Sequence, residues 1–122
     1  MINVATAYSR VGRHVREQER GTLGTAQWYL ALERRALELF PELSKSPWAV
    51  SSLTWALGRT ERDPGAPFWA LLEAAIVRRS DALEPQGVAN ILWAFATLER
   101  PMPAPLRSAM VGRCRLTISN PR

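Results

Sequence analysis

The chain has little of what catalytic and metal centres are built from. Among 122 residues there is one cysteine, Cys114, one histidine, His14, and one lysine, Lys45. A single cysteine excludes a disulfide framework within the chain, and one Cys with one His gives no zinc-ligand pattern. A lone His also excludes a multi-His metal site and a His-based catalytic triad. No Gly-rich phosphate loop and no nucleophile motif is present. No apolar run approaches the roughly 18 to 20 residues needed to span a bilayer. These absences describe a non-catalytic chain with no cofactor, no metal and no membrane span.

What is there is enough for one modest domain. The composition is 47% apolar and 22% charged, which permits a core and argues against a disordered tail. Net charge is +5 and the pI is near 10.6, favouring an acidic partner such as nucleic acid or an anionic surface. Fifteen of the sixteen basic residues are Arg. Arginine suits bidentate phosphate contact and stacking on bases; a GC-rich coding bias produces the same excess. Met1 to Arg16 holds Arg10, Arg13, Arg16 and hydroxyl residues but no acid, as an organelle transit peptide does. That stretch also fits the repeat described next.

Residues 50–62 laid on residues 88–100, at an offset of 38, give identities at Val50/Val88, Trp55/Trp93, Ala56/Ala94, Glu61/Glu99 and Arg62/Arg100. Leu53 meets Ile91 and Leu57 meets Phe95, apolar for apolar. A fixed period of about 40 residues marks a helical repeat array. Val88, Ile91, Leu92, Phe95 and Leu98 fall on one helical face, so residues 86–100 read as an A helix, with Glu84-Pro85 and Pro101-Met102-Pro103 as breakers. Residues 50–62 form the preceding A helix, ended by the turn signal Asp63-Pro64-Gly65, and residues 2–16 the first. B helices are expected over 26–43, 67–83 and about 105–115. Trp28-Tyr29, Leu32, Glu33 and Leu43 match Phe68-Trp69, Leu72, Glu73 and Leu83 at an offset of 40, with the extra length assigned to the connection 44–48. No strand-period segment appears. The expected fold is all-α: an α-solenoid of about three stacked helix-turn-helix hairpins in a single domain, 1–117, with repeats at about 1–46, 47–84 and 85–117 and a frayed tail at 118–122. The chain also reads as a piece of a longer array.

The phrase Pro85-Gln86-Gly87-Val88-Ala89-Asn90-Ile91-Leu92-Trp93-Ala94-Phe95-Ala96-Thr97-Leu98, with Ser52-Leu53-Thr54-Trp55-Ala56-Leu57 one repeat earlier, resembles an octotricopeptide repeat. It is similar also to the repeats of FAST-kinase-like and heptatricopeptide proteins. The resemblance is strong over Val50 to Leu106. It implies an α-solenoid that binds single-stranded RNA in mitochondria or chloroplasts, in RNA stability, processing or translation, or as a structural part of an organellar ribosome. Departures are Ser52, Leu57-Gly58 and Arg59 in the second repeat and Thr6 in place of the Trp in the first. No C-terminal nuclease-like domain is visible.

Projected at about 100° per residue, the A-helix stripe opposite the apolar face carries Gln86, Asn90, Trp93 and Thr97. Its equivalents are Ser52, Trp55 and Arg59 in the second repeat and Asn3, Thr6 and Arg10 in the first. If the A helices line a concave surface, these stripes form a basic groove for single-stranded or ribosomal RNA. Asn and Ser would read base edges, Trp would stack and Arg would hold phosphate. The competing reading wedges Trp55 and Trp93 between neighbouring helices, leaving Ser52, Arg59, Asn90 and Thr97 as the sharper candidates. Glu33/Glu73 and Glu61/Glu99 recur by register, which explains them without acid–base chemistry. The alternative function is a protein scaffold, or a structural subunit among organellar ribosomal proteins.

Overall fold

The computed structural model describes residues 4–16, 19, 23 and 26–119. All regular structure among them is helical: α1 (Val4–His14), α2 (Gln27–Glu38), α3 (Phe40–Leu43), α4 (Pro47–Thr60), α5 (Ala66–Arg79), α6 (Pro85–Thr97) and α7 (Ala104–Ser119), with a 3-10 turn at Ser80–Ala82. The protein is all-α, and no helix among the described residues is long and apolar enough to cross a membrane.

Prolines set most of the boundaries. Pro47, Pro67 and Pro85 lie in the first turns of α4, α5 and α6, where a missing N–H costs nothing. Glu84-Pro85 therefore opens α6 rather than breaking the chain before it. Ser46 accepts a hydrogen bond from the Ala49 N–H and caps α4, which starts three residues earlier than the apolar pattern indicated and absorbs Pro47 and Trp48 from the expected connection. The expected helix over 26–43 is split at Leu39, because Pro41 cannot donate in the interior of a continuous helix. α7 runs to Ser119, past the expected end at Arg115 and into the expected frayed tail; residues 120–122 lie outside the described set.

The A-type helices pack in succession, α1 on α4 and α4 on α6, and α5 packs on α7. Small residues make this possible. A β-carbon at Gly12 would stand 2.8 Å from Trp55 Cζ3, and one at Gly58 would stand 2.8 Å from Ala94 Cα. The helices α4 and α6 thus meet almost backbone to backbone, and α1 meets α4 at the edge of the Trp55 ring. Held on both sides, α4 is buried on most of its circumference, and Leu53, Ala56 and Leu57 are fully enclosed.

The recurrent Glu-Arg pairs end the helices. Glu61 and Glu99 adopt left-handed φ of 54° and 52°. The Arg62 N–H reaches back to the Leu57 carbonyl and the Arg100 N–H to that of Phe95, closing the same C-terminal motif twice. Each arginine then turns to the B-type helix of the preceding hairpin. Arg62 Nε donates to Glu33 Oε1 at 2.7 Å and its Nη2 to Oε2 at 3.3 Å; Arg100 Nε donates to Glu73 Oε2 at 3.2 Å and its guanidinium lies 4.4 Å from the Trp69 ring centre. The four recurring carboxylates are thus helix ends and ion-pair partners. Aromatic contacts follow the same joints: Phe68 packs on Tyr8 and Phe40, and Trp69 on Phe95.

Candidate nucleic-acid interface

The first turns of α4 and α6 frame a cleft of about 420 Å³ whose lining includes Ser46, Pro47, Trp48, Ser51, Ser52, Glu84, Gln86, Gly87 and Asn90. Three of the residues expected from the stripe, Ser52, Gln86 and Asn90, meet here from two separate helices. Gly87 allows the meeting: a β-carbon there would lie 3.3 Å from the Ser51 side chain.

The polar groups of the cleft are partly preorganised. Gln86 Nε2 donates to Asn90 Oδ1 at 2.9 Å, one turn along the exposed face of α6. Ser51 Oγ donates to the Trp48 carbonyl at 3.1 Å. Asn90 Nδ2, Gln86 Oε1 and the Ser52 hydroxyl carry no hydrogen bond to the protein. They offer a donor, an acceptor and a group that does both. Trp48 stands at the rim with 53% of its surface exposed, an indole face with no aromatic partner among the described residues. Glu84 is the only ionisable side chain of the lining, so the cleft offers hydrogen-bonding and stacking groups rather than a concentration of charge.

The remaining expected residues lie elsewhere along the stripe. Trp55 is half-buried with its ring edge against Gly12, and Trp93 places its ring edge against Gly58 while leaving 43% of its surface open. Both tryptophans therefore pack between A-type helices, and only Trp93 retains a substantial free face. Thr97 is exposed at the end of α6, Arg59 is half-buried near the end of α4, and Thr6 is half-buried on α1. Arg10 is exposed and lines a different cleft, with Val11, His14 and Trp28. Asn3 lies outside the described residues. The α4 stripe is recessed: Ser52 retains only 8% exposure, whereas its equivalent Asn90 is half-open, because α4 lies between two A-type helices and α6, among the described residues, beside one.

No family model, curated protein or solved structure matches the chain. The site must be read from its own geometry.

That geometry adds Trp48 to the set the sequence supplied. The signal was present: Pro47 and Pro85 stand at the same 38-residue offset as the tryptophans, and so do Trp48 and Gln86. Extending the repeat back to the proline pairs the stripes as Trp48/Gln86, Ser52/Asn90, Trp55/Trp93 and Arg59/Thr97. Starting α4 at Val50 left Gln86 without its counterpart.

Two electrostatic features lie beside the joints rather than in the cleft. Gly65 N–H and Trp69 Nε1 both donate to Asp63 Oδ1 at 2.9 Å, and the Gly65 bond holds this carboxyl below its ordinary range. Tyr8 and Tyr29 are fully enclosed, the Tyr8 hydroxyl without a hydrogen bond and the Tyr29 hydroxyl beside Thr60, and burial pushes the Tyr29 phenol up to about 12 and that of Tyr8 higher still.

Proposed function

We propose that the chain is a non-catalytic, RNA-binding α-solenoid of the octotricopeptide type, acting in organellar RNA metabolism or translation. In this reading the hairpins α1–α3, α4–α5 and α6–α7 are three stacked repeats. The succession α1, α4, α6 and the twice-made Glu–Arg bridge between hairpins support it. Single-stranded RNA would cross the first turns of the A-type helices.

The cleft between α4 and α6 is the observation that carries the proposal. An exposed indole beside uncommitted amide and hydroxyl groups is suited to a splayed base, which needs a stacking face and hydrogen bonds at its edge. Phosphates would be met by arginines outside the cleft. Arg10, Arg34, Arg59 and Arg78 have no carboxylate partner among the described residues. Glu84 in the lining makes an RNA backbone passing directly over the cleft floor unfavourable, so the base rather than the phosphate points inward.

The test is RNA affinity in a salt series. Binding of a short single-stranded RNA should weaken with salt, and Arg10→Ala with Arg59→Ala should reduce the log–log slope by about 1.4, at roughly 0.7 per phosphate contact. Trp48→Ala should lower affinity by about tenfold, a stacking contribution of about 1 to 3 kcal/mol, and leave the slope unchanged. No binding at low salt, or affinity indifferent to all three substitutions, would sink the reading. A protein-scaffold role is favoured by one observation, the exposed apolar ends of the helix stack, which lead to the next inference.

A further inference from the structure

We infer that the two ends of the helix stack are complementary, and that one copy of this chain docks head to tail on a second through α6 of the first and α1–α2 of the next. The inference rests on the repeated packing of the helices and is independent of RNA binding.

The receiving face is defined by what α6 does to α4. In the internal joint, α6 covers Ser51 and Gly58 of α4, laying Gly87 on the first and Ala94 on the second. The equivalents of Ser51 and Gly58 on α6 are Ala89 and Ala96, at the same 38-residue offset. Both are small, both are exposed, and Trp93 lies open between them. The face that is buried on α4 is thus repeated, still narrow enough for a helix to approach closely, and uncovered among the described residues.

The other end supplies the matching parts. At the offset of 49 that relates α1 to α4, Ala7 occupies the position of Ala56, the residue that lies against Gly12. Trp28 on α2 occupies the position of Phe68, whose ring is buried against Tyr8 and Phe40 of the preceding hairpin. No such hairpin lies against Trp28 among the described residues. Trp28 is 58% exposed at the mouth of a cleft of about 340 Å³, with Val11 and Val15 in the lining. Each end therefore presents what the internal joints bury, and this continuity with the internal joint identifies a copy of the same repeat as the occupant.

One element is missing. Val111 stands where Glu33 and Glu73 receive Arg62 and Arg100, so the intermolecular joint lacks the ion pair that the internal joints share. It is weaker than the internal joints and reversible. The contact is heterologous, so copies add one after another into open chains rather than closing as a dimer. Both ends also carry exposed arginines, Arg10 and Arg13 on α1 and Arg107 and Arg115 on α7, so added salt screens their repulsion and strengthens the association. RNA binding has the opposite salt dependence.

Sedimentation velocity of the intact chain from micromolar to millimolar concentration tests this. The expected result is a concentration-dependent series of oligomers, more populated at high salt. Ala96→Glu blocks the receiving face and Trp28→Glu blocks the entering end; both side chains are exposed, and circular dichroism checks that each variant stays helical. Each should weaken association at least about tenfold, the consequence of an unpaired charge in an apolar joint. A mixture of the two variants should form a dimer and nothing larger, since each retains one working end. A chain that is monomeric throughout, oligomers indifferent to both substitutions, or a mixture that fails to pair would overturn the inference.

Discussion

The joint between α1 and α4 and the joint between α4 and α6 are built on one plan, yet they differ in how far each can yield. In both, a glycine on one helix receives the tryptophan and alanine of the next. At Gly12 the closest atom is Cζ3 of Trp55, the end of a half-buried side chain, and the Ala56 backbone is 3.4 Å away. At Gly58 the closest atoms are Cα and Cβ of Ala94, both at 2.8 Å. A ring edge can swing; a backbone cannot. The same sequence pattern thus gives an adjustable joint and a rigid one, and the difference lies in which atom faces the missing β-carbon.

Adding that β-carbon should separate the two joints most sharply. Gly58→Ala should destabilise by about 3 kcal/mol, the upper range for overpacking a close contact. Gly12→Ala should cost about 1 kcal/mol, because Trp55 can turn aside and alanine favours the helix. Urea midpoints measure both, and equal costs would refute the distinction.

The ion pairs order the joints the opposite way, with a smaller effect. Glu33 is the more enclosed carboxylate, its side chain 9% exposed against 16% for Glu73, and it is gripped by two arginine nitrogens rather than one. Its partner also keeps a strong claim on it: the bond to Glu33 raises the Arg62 pKa above its ordinary value. Glu33→Ala should cost about 2 kcal/mol and Glu73→Ala about 1, since Arg100 retains its place over the Trp69 ring. Reversal of that order in chemical unfolding would show that the ring, not the carboxylate, holds the second joint.

The joints should also fail at opposite ends of the pH scale. Tyr8 and Tyr29 belong to the first. A phenol whose folded pKa is raised contributes stability that is whole below its unfolded value of 10.0 and is lost as pH rises through the folded value, about 12 for Tyr29 and higher for Tyr8. Asp63 anchors Trp69 in the second. Its lowered pKa contributes stability present above the ordinary carboxylate range and lost as pH falls through the folded value. Tyr8→Phe should flatten the alkaline loss and, by removing a buried hydroxyl that lacks a partner, raise stability at neutral pH by up to about 1 kcal/mol. A thermal melt series from neutral to alkaline pH measures both effects. An unchanged alkaline limb in Tyr8→Phe would remove the tyrosine from the account.

The helices were legible because a 38-residue identity and a helical apolar period pointed to the same segments. The joints were legible only in part. In the sequence Gly58 reads as a small residue that lets adjacent helices approach closely, as it does, but nothing there distinguishes a backbone neighbour from a ring. Equivalent positions also read alike while their surroundings differ: Phe68 is buried and Trp28 open, Ser52 recessed and Asn90 half-open. A repeat register reports position within a unit, but exposure depends on whether a further unit stands next to it. Trp48 was missed for a local reason, the N-cap at Ser46 and the proline after it, which start α4 before its apolar pattern begins.

The claim that RNA lies across the first turns of α4 and α6 is tested most directly by ultraviolet crosslinking of the protein to a single-stranded RNA, followed by mass-spectrometric mapping of the modified peptides. Adducts should fall at Trp48 and in the peptide holding Gln86 and Asn90, and should disappear from the first site in Trp48→Ala. Adducts confined to the B-type helices, around Arg34-Arg35 or Arg78-Arg79, would contradict the placement of the RNA, and absence of any adduct would contradict the function.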